Sequence, residues 1–183
     1  KLRTEYQTVF AKSQGSSAAP TASLHFTGAL LSKLKKIGIA TEYVTLHVGL
    51  GTFAPLTEKH IETGKLHTEW FEISPATAKR LEQYKKQGRP IVAVGTTVVR
   101  TLESAVTRKG KLTKLSGETD MFIYPPYKFK LVDCLITNFH VPKSSLMMLV
   151  ASLIGREKLL ELYALAVKKK FRLFSFGDGM LIK

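Results

Sequence analysis

The chain has 183 residues, 44% of them apolar and 23% charged. That suits one packed domain and excludes a disordered, collagen-like or coiled-coil chain. No apolar run approaches the roughly 18–20 residues of a membrane span, and a single cysteine, Cys134, excludes an internal disulfide framework. The formal net charge of +14 points to a polyanionic partner, with nucleic acid first.

No signal-peptide pattern opens the chain, so a reducing cytoplasm is the expected compartment. Lys1 stands where an intact reading frame would carry methionine, so a processed chain or part of a longer one is expected. In chain order, residues 1–23 read as polar and irregular, with Gly15-Ser16-Ser17 and Pro20 marking a loop. Thr27 can cap a helix with Leu30, Leu31, Leu34 and Ile37 on one face, ended by Gly38. Lys33, Lys35 and Lys36 then face solvent. Ile39 to Val48 is rich in β-branched and aromatic residues and predicts a strand, closed by Gly49-Leu50-Gly51-Thr52.

Residues 67–73 predict a second strand. Ser74-Pro75 then starts a helix, serine as cap and proline in the first turn, with Ala78, Leu81 and Tyr84 inward and Gly88 at its end. Pro90 to Val94 is wholly apolar, as in a strand covered on both faces. Gly95-Thr96-Thr97 breaks it, and a helix to about Arg108 follows. Met121–Tyr124 and Leu131–Thr137 predict strands, broken by Pro125-Pro126 and by Asn138-Phe139-His140-Val141-Pro142. Ser144 or Ser145 opens an apolar helix. Residues 157–170 predict an amphipathic one with Leu159, Leu160, Tyr163 and Val167 inward. The tail alternates around a Gly177-Asp178-Gly179 turn. Strands alternating with helices predict a single α/β domain over 1–183, with a mixed, largely parallel sheet or partial barrel and flanking helices.

Three strand exits carry polar or glycine-rich residues: His47 to Thr52, Gly95-Thr96-Thr97, and Thr137 to His140. Ligands gather at the carboxyl ends of strands in α/β sheets, and parallel strands would put all three exits on one rim. Gly95-Thr96-Thr97 precedes a helix, where free amides and hydroxyls suit an anion; an ordinary helix start fits as well. Arg100 could add charge there or pair at the surface with Glu103. Gly49-Leu50-Gly51-Thr52 lacks the Gly-Lys-Ser/Thr of a Walker loop.

His25, His47, His60, His67 and His140 lack metal-ligand spacing, so no metal is expected. His47 in a strand fits a satisfied core histidine, and His140 an exposed loop. Cys134 reads as a buried thiol. Asp178, between two glycines, could approach a ligand or make a plain turn. Lysine and arginine cluster at 79–80, 85–89, 108–114 and 168–172. Tyr124, Tyr127 and Phe129 interleave with Lys128 and Lys130, which suits unstacked bases and phosphates, or a core strand edged with lysines.

The order of motifs resembles the S-adenosylmethionine:tRNA ribosyltransferase-isomerase (QueA) family of queuosine biosynthesis. The resemblance rests on Tyr6 to Ala11, Ala18 to Thr27, His47 to Phe53, His67-Thr68-Glu69-Trp70 and Gly95 to Glu103. It continues through Thr119 to Pro125, Leu135 to Ser144 and Phe174 to Ile182. The family usually has glycine where Ser23 and Pro126 stand, and often tyrosine at Trp70 and Phe176. Family members are about twice as long, so the resemblance implies a C-terminal portion without the family's inserted all-β domain.

The resemblance implies transfer and isomerisation of the ribosyl moiety of S-adenosylmethionine onto 7-aminomethyl-7-deazaguanine at the tRNA wobble position. Epoxyqueuosine forms, and adenine and methionine are released. S-adenosylmethionine is then a consumed substrate, no cofactor is expected, and tRNA is the macromolecular partner of a monomer that needs no membrane. On this footing His25 and His47 are candidates for general base. Thr96, Thr97 and Arg100 are candidates to hold the methionine carboxylate or a tRNA phosphate. Asn138 and His140 would contact adenine or ribose, Asp178 the methionine ammonium, and Lys143 the anticodon stem-loop. Two alternatives stand beside this: a catalytically inactive RNA-binding fragment of such an enzyme, and a methyltransferase, which the absence of an early Gly-x-Gly-x-x-Gly disfavours.

Overall fold

Short side chains that accept hydrogen bonds set several of the helix starts. The computed structural model describes residues 6–12, 15–49 and 55–183. Beyond Gly49, the turn read at Gly49-Leu50-Gly51-Thr52 and the adjoining Phe53 lie outside the described residues. After a 3-10 turn at Thr21–His25, Thr27 Oγ1 accepts from the Leu30 amide at 3.2 Å and caps α1 (Gly28–Lys36). The short strand β1 (Thr45–His47), helix α2 (Glu58–Thr63) and strand β2 (Lys65–Glu72) follow. Ser74 Oγ accepts from Thr77 at 3.1 Å and opens α3 (Pro75–Lys86). Then come β3 (Val92–Val94), α4 (Thr96–Ala105), β4 (Ser116–Met121) and β5 (Cys134–Asn138). Ser144 Oγ accepts from Met147 at 3.3 Å and opens α5 (Ser145–Ile154), before α6 (Arg156–Lys168) and β6 (Gly179–Ile182).

The strands form two three-stranded sheets, ordered β1-β2-β4 and β3-β5-β6. The first is antiparallel throughout. In the second, β3 and β5 are parallel and β6 runs antiparallel to β5. The architecture is thus mixed α/β with small sheets and flanking helices, and parallel pairing among the described residues is confined to β3 and β5. Helix α4 packs against strands of both sheets. Phe71, Ile73, Val99, Leu102, Leu131, Leu135, Leu149 and Leu159 are buried in one cluster. Each such side chain contributes about 1.5–3 kcal/mol relative to exposure.

Several expected boundaries shift for physical reasons. The first strand covers only 45–47, because its partner β2 ends at Glu72 opposite Thr45 and the next amide, Ile73, bonds to Leu115 O instead. β5 starts at Cys134, not Leu131, because the amides of Lys130, Leu131 and Val132 donate to the Glu103 carboxylate at 3.0 Å. α4 stops at Ala105, since Val106 turns to bridge Leu112. β3 is covered on one face only: Ala93 is buried and Val92 is 44% exposed. On α6 the inward residues are Leu159, Tyr163 and Ala166, while Leu160 and Val167 point to solvent. The strand expected at Met121–Tyr124 lies earlier, as β4 (Ser116–Met121), where it pairs with β2, and helix α2 carried no expectation from sequence.

Candidate active site at the carboxyl ends of β3 and β5

Because β3 and β5 are parallel, the exits Gly95-Thr96-Thr97 and Asn138-Phe139-His140 share one edge of the second sheet. The third exit, after His47, belongs to the other sheet, so the three do not form a single rim. Gly95 has φ of +95°, a region that favours glycine, and its amide donates to Ile136 O at 2.8 Å. It caps α4 with no side chain among the described residues, so the first-turn amides there have no side-chain acceptor at the N-cap. Thr96 is buried and Thr97 half-buried. A Cβ at Gly95 would lie 3.9 Å from Ala22, so the 3-10 turn passes directly beside this helix start.

That turn ends at His25, an exposed imidazole whose Nε2 lies 2.9 Å from Asn138 Oδ1. A Cβ at Gly179 would lie 3.1 Å from the same nitrogen, so β6 approaches the ring closely. Asn138, 2% exposed, also donates through Nδ2 to the carbonyls of Phe174 and Ser175 at 2.8 and 3.2 Å. The loop 171–178 is thereby fixed over the edge of the site. Its exposed rings are Phe171, Phe174 and Phe176. Asp178 closes the loop on itself: Oδ2 accepts from the Arg172 amide at 2.8 Å, and its own amide donates to Arg172 O at 2.7 Å.

His47 stacks on Trp70 at 5.1 Å between ring centres, half-buried, with Gly15 against its ring. Arg100 is buried, paired through NH1 with Glu69 of β2, and its Nε donates to Met121 O at 3.2 Å. Burial lowers its pKa, while Glu69 opposes that. The expected surface pair of Arg100 with Glu103 does not form; Glu103 is buried and serves Tyr127 and the 130–132 amides. His140 is half-buried, not in an exposed loop: Nε2 lies 2.8 Å from Thr137 Oγ1, and burial pushes its pKa down to about 4, so it is neutral near pH 7. Lys143 is exposed at φ +59° ahead of α5. Glu69 is named in the sequence only as part of the motif at 67–70 and given no role there, although strand alternation puts it on the face of Phe71 and Ile73. No group of three or more His, Cys, Asp or Glu that could hold a metal occurs among the described residues.

A family model described as "Queuosine biosynthesis protein" matches residues 2–182. The chain belongs to that family. It is 59% identical over 178 residues to the S-adenosylmethionine:tRNA ribosyltransferase-isomerase of Treponema denticola, covering 97% of this chain and 51% of that protein. Against the protein of the same name from Halothermothrix orenii it is 54% identical over 177 residues, covering 97% and 52%. The crystal structure of S-adenosylmethionine tRNA ribosyltransferase from Thermotoga maritima superposes with a TM-score of 0.72 at 44% identity, covering 89% of this chain and 51% of that one. The chain thus spans about half the length of the curated relatives it matches.

In this queuosine-family chain several basic side chains are spent on internal contacts. Arg80 pairs with Glu42 at 2.5 Å, Lys85 with Asp133 at 2.5 Å, and Arg89 lies 4.7 Å above the Tyr84 ring. Tyr127 and Phe129 meet edge to face at 5.0 Å between ring centres, packed against the core, so they edge it. Burial and the neighbouring Glu103 raise the Tyr127 pKa. Lys143, Lys168, Lys169, Lys170 and Arg172 remain exposed. No helix among the described residues is long and apolar enough to cross a membrane.

Proposed function

We propose that this chain carries the catalytic histidine of an enzyme that transfers and isomerises the ribosyl moiety of S-adenosylmethionine onto 7-aminomethyl-7-deazaguanine in the tRNA wobble position. Epoxyqueuosine is the product, with release of adenine and methionine. S-adenosylmethionine is consumed, so no resident cofactor is required. The sulfonium acidifies the neighbouring C5′ position, and a base must remove that proton. The observation that carries the reading is an exposed imidazole, His25, anchored at the carboxyl end of β5 beside the start of α4, in a chain of this family.

His25 is the base in this reading. His47, wedged against Trp70, is the alternative. The open first turn of α4, with Thr96 and Thr97, receives the methionine carboxylate or a phosphate, helped by the helix dipole. Buried Arg100 stabilises that helix without touching the ligand. Asp178, turned to Arg172, shapes the loop beside the site. Lys143 and the exposed cations at 168–172 meet the tRNA backbone.

The test is adenine release from S-adenosylmethionine in the presence of tRNA bearing 7-aminomethyl-7-deazaguanine, followed by chromatography. Adenine that depends on that tRNA is expected, and His25→Ala should lower its rate by about 10²–10⁴ with tRNA binding retained. Undiminished turnover in His25→Ala removes the base assignment. Salt-dependent tRNA binding without adenine would identify an inactive RNA-binding unit instead, and S-adenosylhomocysteine a methyltransferase.

A further inference from the structure

Asn138 has a side-chain amide whose two hydrogens are both committed. Nδ2 donates to Phe174 O and Ser175 O, and Oδ1 faces His25 Nε2 at 2.9 Å. Main-chain carbonyls only accept, so the NH2 group must face the loop and Oδ1 must face the imidazole. Oδ1 also only accepts, so the proton of neutral His25 lies on Nε2 and the lone pair on Nδ1. Gly179 lets the β6 backbone press against the Nε2 edge of the ring, which limits its rotation.

We infer that Asn138 is a positioning residue: it holds His25 as the Nε2–H tautomer, with Nδ1 as the basic nitrogen, and ties that ring to the loop 171–178. This rests on the reading of His25 as base and gives Asn138 a role other than contact with adenine or ribose. The other titratable groups on the surrounding segments are turned away. Asp178 and Arg172 lie 3.6 Å apart and face each other, and half-buried His140 sits against Thr137.

Two measurements test it. Long-range 1H–15N spectra of the wild-type protein, with His25→Ala assigning the resonance, should show His25 as the Nε2–H tautomer; an Nδ1–H tautomer overturns the inference without any variant at Asn138. In Asn138→Ala, which removes the acceptor at Nε2, the same spectra should show the Nε2–H form giving way to a mixture of tautomers. Adenine release should fall through kcat, by about tenfold or more, with KM for S-adenosylmethionine little changed. A residue that merely braced the loop would leave the tautomer unmoved, and an unchanged Nε2–H form with unchanged kcat in the folded variant also overturns the inference. Full turnover in His25→Ala, read in a separate assay, would instead remove the base reading beneath it.

Discussion

His140 makes the folded chain sensitive to mild acid, by an amount that follows from its surroundings. Its Nε2 lies against Thr137 Oγ1, while the Tyr163 hydroxyl accepts from its amide at 2.6 Å and donates to its carbonyl at 3.0 Å. Burial pushes its pKa down to about 4, against about 6.5 in an unfolded chain. Between those values the unfolded state binds more protons than the folded one, so stability rises with pH across the window. The contribution is fully present above the unfolded value and is lost as pH falls through the folded one. At about 1.36 kcal/mol per unit the whole difference is about 3 kcal/mol, of which about 2 kcal/mol falls between pH 7 and pH 5. Urea unfolding of wild type and His140→Gln at those two pH values isolates it, because carboxylates titrate alike in both proteins. Wild type should lose about 2 kcal/mol more than the variant on acidification. Equal losses, or a His140 titration midpoint near 6.5, would refute the reasoning.

Arg100→Met removes one member of the buried Arg100–Glu69 ion pair and should cost about 3–5 kcal/mol, read as a fall in unfolding midpoint. Arg100→Met with Glu69→Leu should recover part of that. A selective rise in KM for S-adenosylmethionine at unchanged stability would return Arg100 to the ligand. Gly177→Ala would set a Cβ 2.5 Å from the Leu173 carbonyl, so the loop beside His25 must shift. Adenine release should then fall about tenfold or more while the melting curve moves little.

What the sequence disclosed, and what it hid, divides by range. Thr27 and Ser74 were legible as caps, and Ser144 as one of two candidates with Ser145, because a cap bonds to an amide three residues on. The exits of β3 and β5 were legible as neighbours because each follows an apolar strand with glycine or polar residues, and their parallel pairing does bring them together. The exit of β1 looks the same in sequence, yet its strand pairs in the other sheet. Arg100 and Glu103 look like an i,i+3 surface pair, and each instead bonds to a partner more than twenty residues away. The His25–Asn138 contact spans 113 positions, and the resemblance named both residues without joining them.

Those two charges on α4 explain how an uncapped helix start is held beside His25. Arg100 ties the helix to β2 and β4, and Glu103 ties it to the segment entering β5. Buried charges contribute little net stability but tolerate few arrangements, so they fix the helix relative to both sheets. Glu103 accepts from Tyr127 OH and from the amides of Lys130, Leu131 and Val132, all near 3.0 Å. Bonds to a charged acceptor are worth about 1.5–3 kcal/mol each. Glu103→Gln keeps the volume but brings an NH2 group against amides that can only donate. It should therefore cost at least about 2 kcal/mol and speed hydrogen exchange at 130–132. Because that segment leads straight into β5, the displacement should reach Asn138 and lower adenine release as well. Unchanged protection at 130–132 in a folded Glu103→Gln protein would show that the carboxylate does not hold this end of the strand.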